Sequence, residues 1–141
     1  MTENDTRPLL LVVAAALIDA DNRVLIQQRP LTKAYAGKWE FPGGKVDPGE
    51  TPPQALVREL KEELNVTTVE KALFPLTFMA GGYESFGFNV VTLIYGCRNW
   101  TGLPQALEDQ PQLAWVKPPR LGDYDLLEKN REALPVLCEL I

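Results

Sequence analysis

The chain has 141 residues, 45% of them hydrophobic and 23% charged, which suits one ordinary folded domain spanning 1–141 and argues against a disordered chain. Its formal net charge is −5 with no basic tail or stripe, so binding to a nucleic acid polymer is not expected, because that needs clustered Lys and Arg. Histidine is absent, which removes His-dependent triads, His-ligated zinc and imidazole bases and leaves acid–base and metal chemistry mainly to carboxylates.

The longest apolar run, residues 9–18, is too short to span a bilayer and ends in Asp19. It reads as a buried strand and not as a signal or membrane segment, so a cytoplasmic protein with no membrane contact is expected. Cys97 and Cys138 lie far apart, outside any CxxC pattern, and read as reduced core thiols. Residues 9–19 and 24–29 are β-rich, and Ala20-Asp21-Asn22-Arg23 between them predicts a hairpin turn. Residues 30–38 read as loop, and Trp39-Glu40-Phe41 as a short strand broken by Pro42-Gly43-Gly44. Asp47-Pro48-Gly49 makes a second turn.

A helix follows, with Thr51 as N-cap, Pro52 at the first helical position, Gln54 completing a capping box, and Asn65 as C-cap. Leu56, Val57, Leu60 and Leu64 form its apolar face. Two strands are expected at 72–80 and 88–97, with a turn or bulge at Gly81-Gly82, and a short one at Leu113–Val116. Residues 130–141 read as a terminal helix, with Pro135 awkward near its start. Strands with one central and one terminal helix give an α+β class, a sheet covered by helices.

On the central helix, Glu59, Glu62 and Glu63 share an arc beside the apolar one, spaced i, i+3 and i+4. Carboxylates so placed repel unless something positive sits among them. Arg58 and Lys61 supply part of that charge, and a divalent cation supplies it better, since Mg²⁺ and Mn²⁺ prefer oxygen ligands. The same pattern also describes a solvated helix face. Glu50 and the Gly43-Gly44 turn just before the helix tilt the balance toward a site for phosphate or metal.

Taken together, Gly44, Glu50, Arg58-Glu59-Leu60, Glu62-Glu63 and Val66 resemble the Nudix box, G-x5-E-x7-R-E-U-x-E-E-x-G-U, with Asn65 in place of its second glycine. Asn is the usual substitute for Gly in a left-handed cap, so the turn is expected to survive. The resemblance to the MutT-type branch extends through Gln28-Arg29-Pro30, residues 36–45, Trp100-Thr101-Gly102, Glu108, Gln110-Pro111 and Trp115. It implies a Nudix α/β/α sandwich with a mixed β-sheet flanked by helices. It also implies Mg²⁺-dependent hydrolysis (Mn²⁺ being possible) of a small nucleoside triphosphate to the monophosphate and pyrophosphate, by a monomer. The best-known MutT-type substrate is 8-oxo-dGTP; a nearby branch prefers CTP and modified pyrimidine triphosphates, and a non-catalytic ligand-binding module is the alternative of another class.

By resemblance, Glu59, Glu62 and Glu63 are metal-binding carboxylates, the Gly44 carbonyl a further ligand, and Glu108 a loop carboxylate near the metals. Glu59 is the first candidate for general base and Glu108 the second. Glu50 is paired with Arg58, and Arg29 binds phosphate. Phe41 lines the base pocket, and Asn130 reads the base unless it merely caps the last helix. A shifted register would put Ala133 there instead, which cannot read a base edge.

Overall fold

Residues 6–81 and 87–141 are described by the computed structural model of the chain. The first strand, β1 (Leu9–Leu17), is apolar along most of its length because it is covered on both faces. Val13, Ala15 and Leu17 face one core, against the helix α1 (Pro52–Leu64); Ala14 and Ala16 face the other. β1 is antiparallel to β4 (Gly43–Lys45) on one edge and parallel to β6 (Asn89–Cys97) on the other. β6 in turn pairs antiparallel with β5 (Leu73–Ala80), so the four-stranded sheet runs β4-β1-β6-β5 and is mixed. A second sheet runs β3-β2-β7, from β2 (Val24–Gln28), β3 (Trp39–Glu40) and β7 (Leu113–Val116). The short terminal helix α2 (Leu134–Leu140) packs Leu137 into the core opposite α1. The fold is α+β, with a mixed sheet and helices on both sides, as expected.

Two expectations need correction. The predicted hairpin has its turn: Asn22 takes φ 58° and Asp19 accepts backbone bonds from Asp21 and Arg23. Yet the two strands share only the Ile18–Val24 bridge before they part into different sheets, because both edges of β1 are taken by β4 and β6. The terminal helix is shorter than residues 130–141. A 3₁₀ segment covers Glu128–Ala133, and α2 starts at Leu134. Pro135 explains the boundary: it has no N–H to extend an earlier helix and fits the first turn of a new one. In addition, Cys97 is buried as expected but Cys138 is exposed. Of the expected Gly81-Gly82 turn, Gly81 sits at φ 102° and Gly82 lies outside the described residues. Among the described residues no helix is long and apolar enough to cross a membrane.

The central helix forms as its sequence dictates. Thr51 and Gln54 make a reciprocal capping box, with Thr51 N donating to Gln54 Oε1 at 2.9 Å. Ala55, Leu56, Leu60 and Leu64 are fully buried, while Val57, expected on the apolar face, is only half-buried. Each such leucine contributes about 1.5–3 kcal/mol of burial, which anchors the helix and fixes the arc its glutamates occupy. Asn65 adopts the left-handed cap at φ 58°, with Lys61 Nζ donating to its Oδ1 at 3.0 Å. Asn65→Ala should therefore cost about 1 kcal/mol in urea denaturation, and Asn65→Gly much less, since only the alanine carries a Cβ with no polar compensation into that region. Equal losses in both would show that the lost side-chain bond, not the backbone conformation, matters.

Candidate active site

β4 is the edge strand beside α1, and its register decides which backbone atoms reach the glutamates. Ala15 N donates to Pro42 O and Val46 N to Leu11 O. Because hydrogen-bonded pairs alternate along an antiparallel ladder, Val13 and Gly44 form the bonded pair between them, and Gly43 turns its N–H and C=O away from β1. Gly43 N accordingly donates to Glu63 Oε2 at 3.0 Å. The outward carbonyl is thus that of Gly43, whereas the sequence nominated Gly44, whose carbonyl faces β1. Gly43 is required by the β1 backbone, and a side chain at Gly44 would push the Glu59 carboxylate from its place. A Cβ on Gly43 would lie 2.0 Å from Val13 O, and one on Gly44 would lie 2.4 Å from the Glu59 carboxylate carbon.

The three glutamates share a face but not an environment. The Glu62 side chain is 55% exposed, that of Glu59 16%, and Glu63 only 7%. Arg58 sits among them. It holds Glu50 through two bonds of 2.7 and 2.8 Å, and its Nη1 donates to Glu59 at 3.0 Å and Glu62 at 3.2 Å. The expected Glu50–Arg58 pair is present, and these bonds hold the half-buried Glu50 carboxyl at about 2. Burial raises the Glu59 carboxyl above the usual carboxylate range despite Arg58, and Glu62 and Glu108 add to the rise. Glu63 is pushed up to about 8, first by burial and then by Glu40, Glu59 and Glu108, against the bond it accepts from Gln27.

Glu59, Glu63 and Glu108 line one pocket with Gln27, Arg29 and Gly44. The loop bearing Glu108 is tied to the end of α1, with Leu107 N donating to Glu63 O at 3.1 Å and Gln105 N to Leu64 O at 2.8 Å. Among the described residues no three Cys, Asp or Glu side chains already close on one ion, since Arg58 and hydrogen-bond donors engage several of these oxygens. The donor set still fits a hard divalent cation: carboxylate oxygens crowded enough to raise one another's proton affinity, beside an outward carbonyl.

A second cleft of about 210 Å³ adjoins the first, and the two share Arg29, Glu40, Gly43 and Gly44. Phe41 and Asn130 both line it. Asn130 Oδ1 accepts from Phe41 N at 3.0 Å; its Nδ2 has no acceptor among the described residues and is not sealed from solvent. Asn130 does not cap α2, which begins four residues later after Ala133 with no side-chain cap. Ala133, the residue of the shifted register, is packed in the core. Arg29 donates to Glu40 at 2.9 Å and to Ala34 O at 2.7 Å at the junction of the two cavities.

The sequence reading missed Gln27, Glu40 and Thr92. Glu40 binds Arg29, and Thr92, 7% exposed, offers the cleft a hydroxyl without a partner among the described residues. A signal for Gln27 existed, since it is a polar residue at an inward position of an apolar strand.

The family model described as NUDIX domain matches residues 8–137. The chain belongs to the Nudix family. Among relatives of this Nudix chain, it is 36% identical over 131 residues to the 8-oxo-dGTP diphosphatase of Escherichia coli (strain K12), covering 92% of this chain and 95% of that one. It is 37% identical over 119 residues to the CTP pyrophosphohydrolase of the same organism, covering 83% of each. Of solved structures, MutT from Aliivibrio salmonicida and Vibrio cholerae superposes with a TM-score of 0.78 at 30% identity, covering 94% of this chain and 99% of that one. The chain is a MutT-type Nudix hydrolase.

The Glu63 environment sets a pH dependence. Its folded-state value of about 8 lies above the ordinary 4.5, so its contribution to stability is complete below about pH 4.5 and is lost as pH rises through 8. In EDTA, the melting temperature of the wild type should fall over that window, and Glu63→Gln should flatten the slope. A slope that persists in the variant would assign it to another group.

Proposed function

We propose that the chain hydrolyses a nucleoside triphosphate to the monophosphate and pyrophosphate with Mg²⁺, 8-oxo-dGTP being the preferred substrate. The observation that carries this reading is the continuity of the two cavities: a base in the Phe41–Asn130 cleft would run its phosphates past Arg29 and Gly43-Gly44 to the glutamates. Nudix hydrolases use divalent cations, and the choice of Mg²⁺ over Mn²⁺ is part of the proposal. Glu59, Glu62, Glu63 and Glu108, with the Gly43 carbonyl, would hold the ions. When bound, a divalent cation neutralises phosphate charge and acidifies water.

The protein's own groups do the rest. Arg29 clamps a phosphate oxygen. Glu59, with its raised proton affinity, takes the proton of the attacking water as the bond between the first and second phosphates breaks. Glu108 is the second candidate for that role. Arg58 and Glu50 keep the Glu59 carboxylate in place. The proposal is of a monomer in the cytoplasm acting on small nucleotides, and the net charge of −5 disfavours nucleic acid polymers as its partners.

A CTP-type substrate is the second reading, favoured by the 37% identical relative of that name and by the cleft itself. The amide carbonyl of Asn130 already serves Phe41 N, and the free Nδ2 donor suits an acceptor on either an oxidised guanine or a cytosine.

Glu59→Gln should lower kcat by about 10²–10⁴-fold with the fold intact. Near-normal pyrophosphate release by the variant would remove Glu59 from the site. The base is tested by kcat/KM for 8-oxo-dGTP, dGTP, CTP and 5-methyl-dCTP side by side. Asn130→Ala should reduce the 8-oxo-dGTP over dGTP preference by about tenfold, the value of one well-made hydrogen bond in a specificity ratio. An unchanged ratio would place base selection elsewhere in the cleft, with Thr92 next in line.

A further inference from the structure

Charged groups from separate segments converge on one buried carboxamide. Gln27, on β2, is 2% exposed. Its Nε2 donates to Glu63 Oε1 on α1 and, at 3.2 Å, to Glu40 Oε2 on β3. Its Oε1 accepts from Gln110 Nε2 at 3.1 Å. Gln110 is buried as well; its Nε2 also reaches Glu63 O at 3.1 Å, and its Oε1 accepts from Glu108 N at 2.7 Å. Glu40 in turn holds Arg29. One connected path therefore runs Arg29, Glu40, Gln27, Gln110, Glu108, with Glu63 attached at both glutamines.

Both N–H donors and the carbonyl of Gln27 are engaged, so the amide cannot turn over without leaving a buried group unpaired. Its chemistry is also specific to the position. When Glu63 is ionised, as holding a cation requires, it and Glu40 repel each other, and a primary amide sets two N–H dipoles between the two carboxylates while adding no charge of its own. An aliphatic residue would leave both carboxylates without that donor, and a glutamate would add a third charge.

We propose that Gln27 is a positioning residue: it holds Glu63 and Glu40 in a fixed relation, so that the cation-binding end of the site keeps its geometry. The proposal rests on the divalent-cation reading above for its functional meaning. It predicts that losing the amide loosens cation binding and turnover together while leaving nucleotide affinity nearly intact, since Arg29 keeps its direct bonds to Glu40 and Ala34.

Gln27→Met keeps the length of the side chain and removes the amide. On the full chain, binding of MnCl₂ alone is followed by electron paramagnetic resonance of the free ion, and kcat and KM are measured with MgCl₂. Metal affinity and kcat should each fall by about tenfold or more, as for other residues that orient metal ligands, with KM changed by less than about threefold. A merely structural staple between β2 and α1 would lower the melting temperature only. Metal affinity and kcat within about twofold of wild type, below the melting transition, would overturn the proposal. If Gln27→Met does not fold, Gln110→Met cuts the same path one link away and is judged by the same thresholds. A wild type that binds Mn²⁺ but cleaves no nucleotide removes the proposed function, and the Mn²⁺ comparison still decides the role of Gln27. A wild type that binds no Mn²⁺ overturns both.

Discussion

Repulsion among carboxylates crowded on one side of α1 is the constraint on which the rest of this structure depends. Two unit charges 4 Å apart interact by about 4 kcal/mol at an effective dielectric of 20, against about 0–1 kcal/mol for an exposed surface pair such as Lys129–Glu132. Burial is the larger reason that Glu59 and Glu63 both bind protons more readily than ordinary carboxyls, and the acidic neighbours add to it. The fold meets this repulsion with donors. Arg58 spans Glu50, Glu59 and Glu62, while Gly43 N and the Gln27 amide serve Glu63. A polyanionic substrate entering such a pocket needs positive charge brought with it, and that requirement ties the acidic helix to divalent-cation chemistry.

Rigid elements hold the arrangement. α1 is pinned by its buried leucines and its capping box, and β4 is pinned to β1 by the ladder. Gly43 has no side chain where the Val13 carbonyl of β1 lies, and Gly44 has none where the Glu59 carboxylate lies. Sites built on helices and strands keep their geometry better than sites on loops. Of the four candidate cation-holding glutamates, three are on α1 and Glu108 is on a loop, which is tied back to the end of α1 by two backbone bonds. The neighbouring cleft differs in character. It is mostly apolar, and its polar groups without a partner among the described residues, Asn130 Nδ2 and the Thr92 hydroxyl, lie outside the glutamate pocket. On the proposed reading the base would sit there and the ions at the glutamates, with Arg29, Glu40 and the two glycines lining both cavities.

Much of the local structure was legible in the chain because it depends on neighbours in sequence. The Thr51–Gln54 box, the left-handed Asn65 cap and the arc of Glu59, Glu62 and Glu63 follow from spacings within about one to three helical turns, while the Glu50–Arg58 pairing was implied by the resemblance to the Nudix box. The strands were legible for the same reason, since alternation and turn residues are local signals. The 3₁₀ segment before α2 was not. Pro135 marked a break, but whether the residues before it would continue as α-helix depended on what Asn130 and Ala133 met in the core.

Tertiary structure decided what no spacing contains. The sequence supplied three glutamates on one arc, and only packing against β4 and β2 made one of them buried, one half-buried and one exposed. It supplied Gly43-Gly44, and only the register with β1 turned the Gly43 carbonyl and N–H outward. It supplied Gln27, Glu40, Gln110 and Asn130 on segments far apart in the chain, and only the fold set the first three around Glu63 and the last against Phe41. Periodicity along one element determines which side chains share a face. Proton affinity and ligand access depend on what lies across from that face, and that is fixed by long-range pairing between segments the sequence keeps apart.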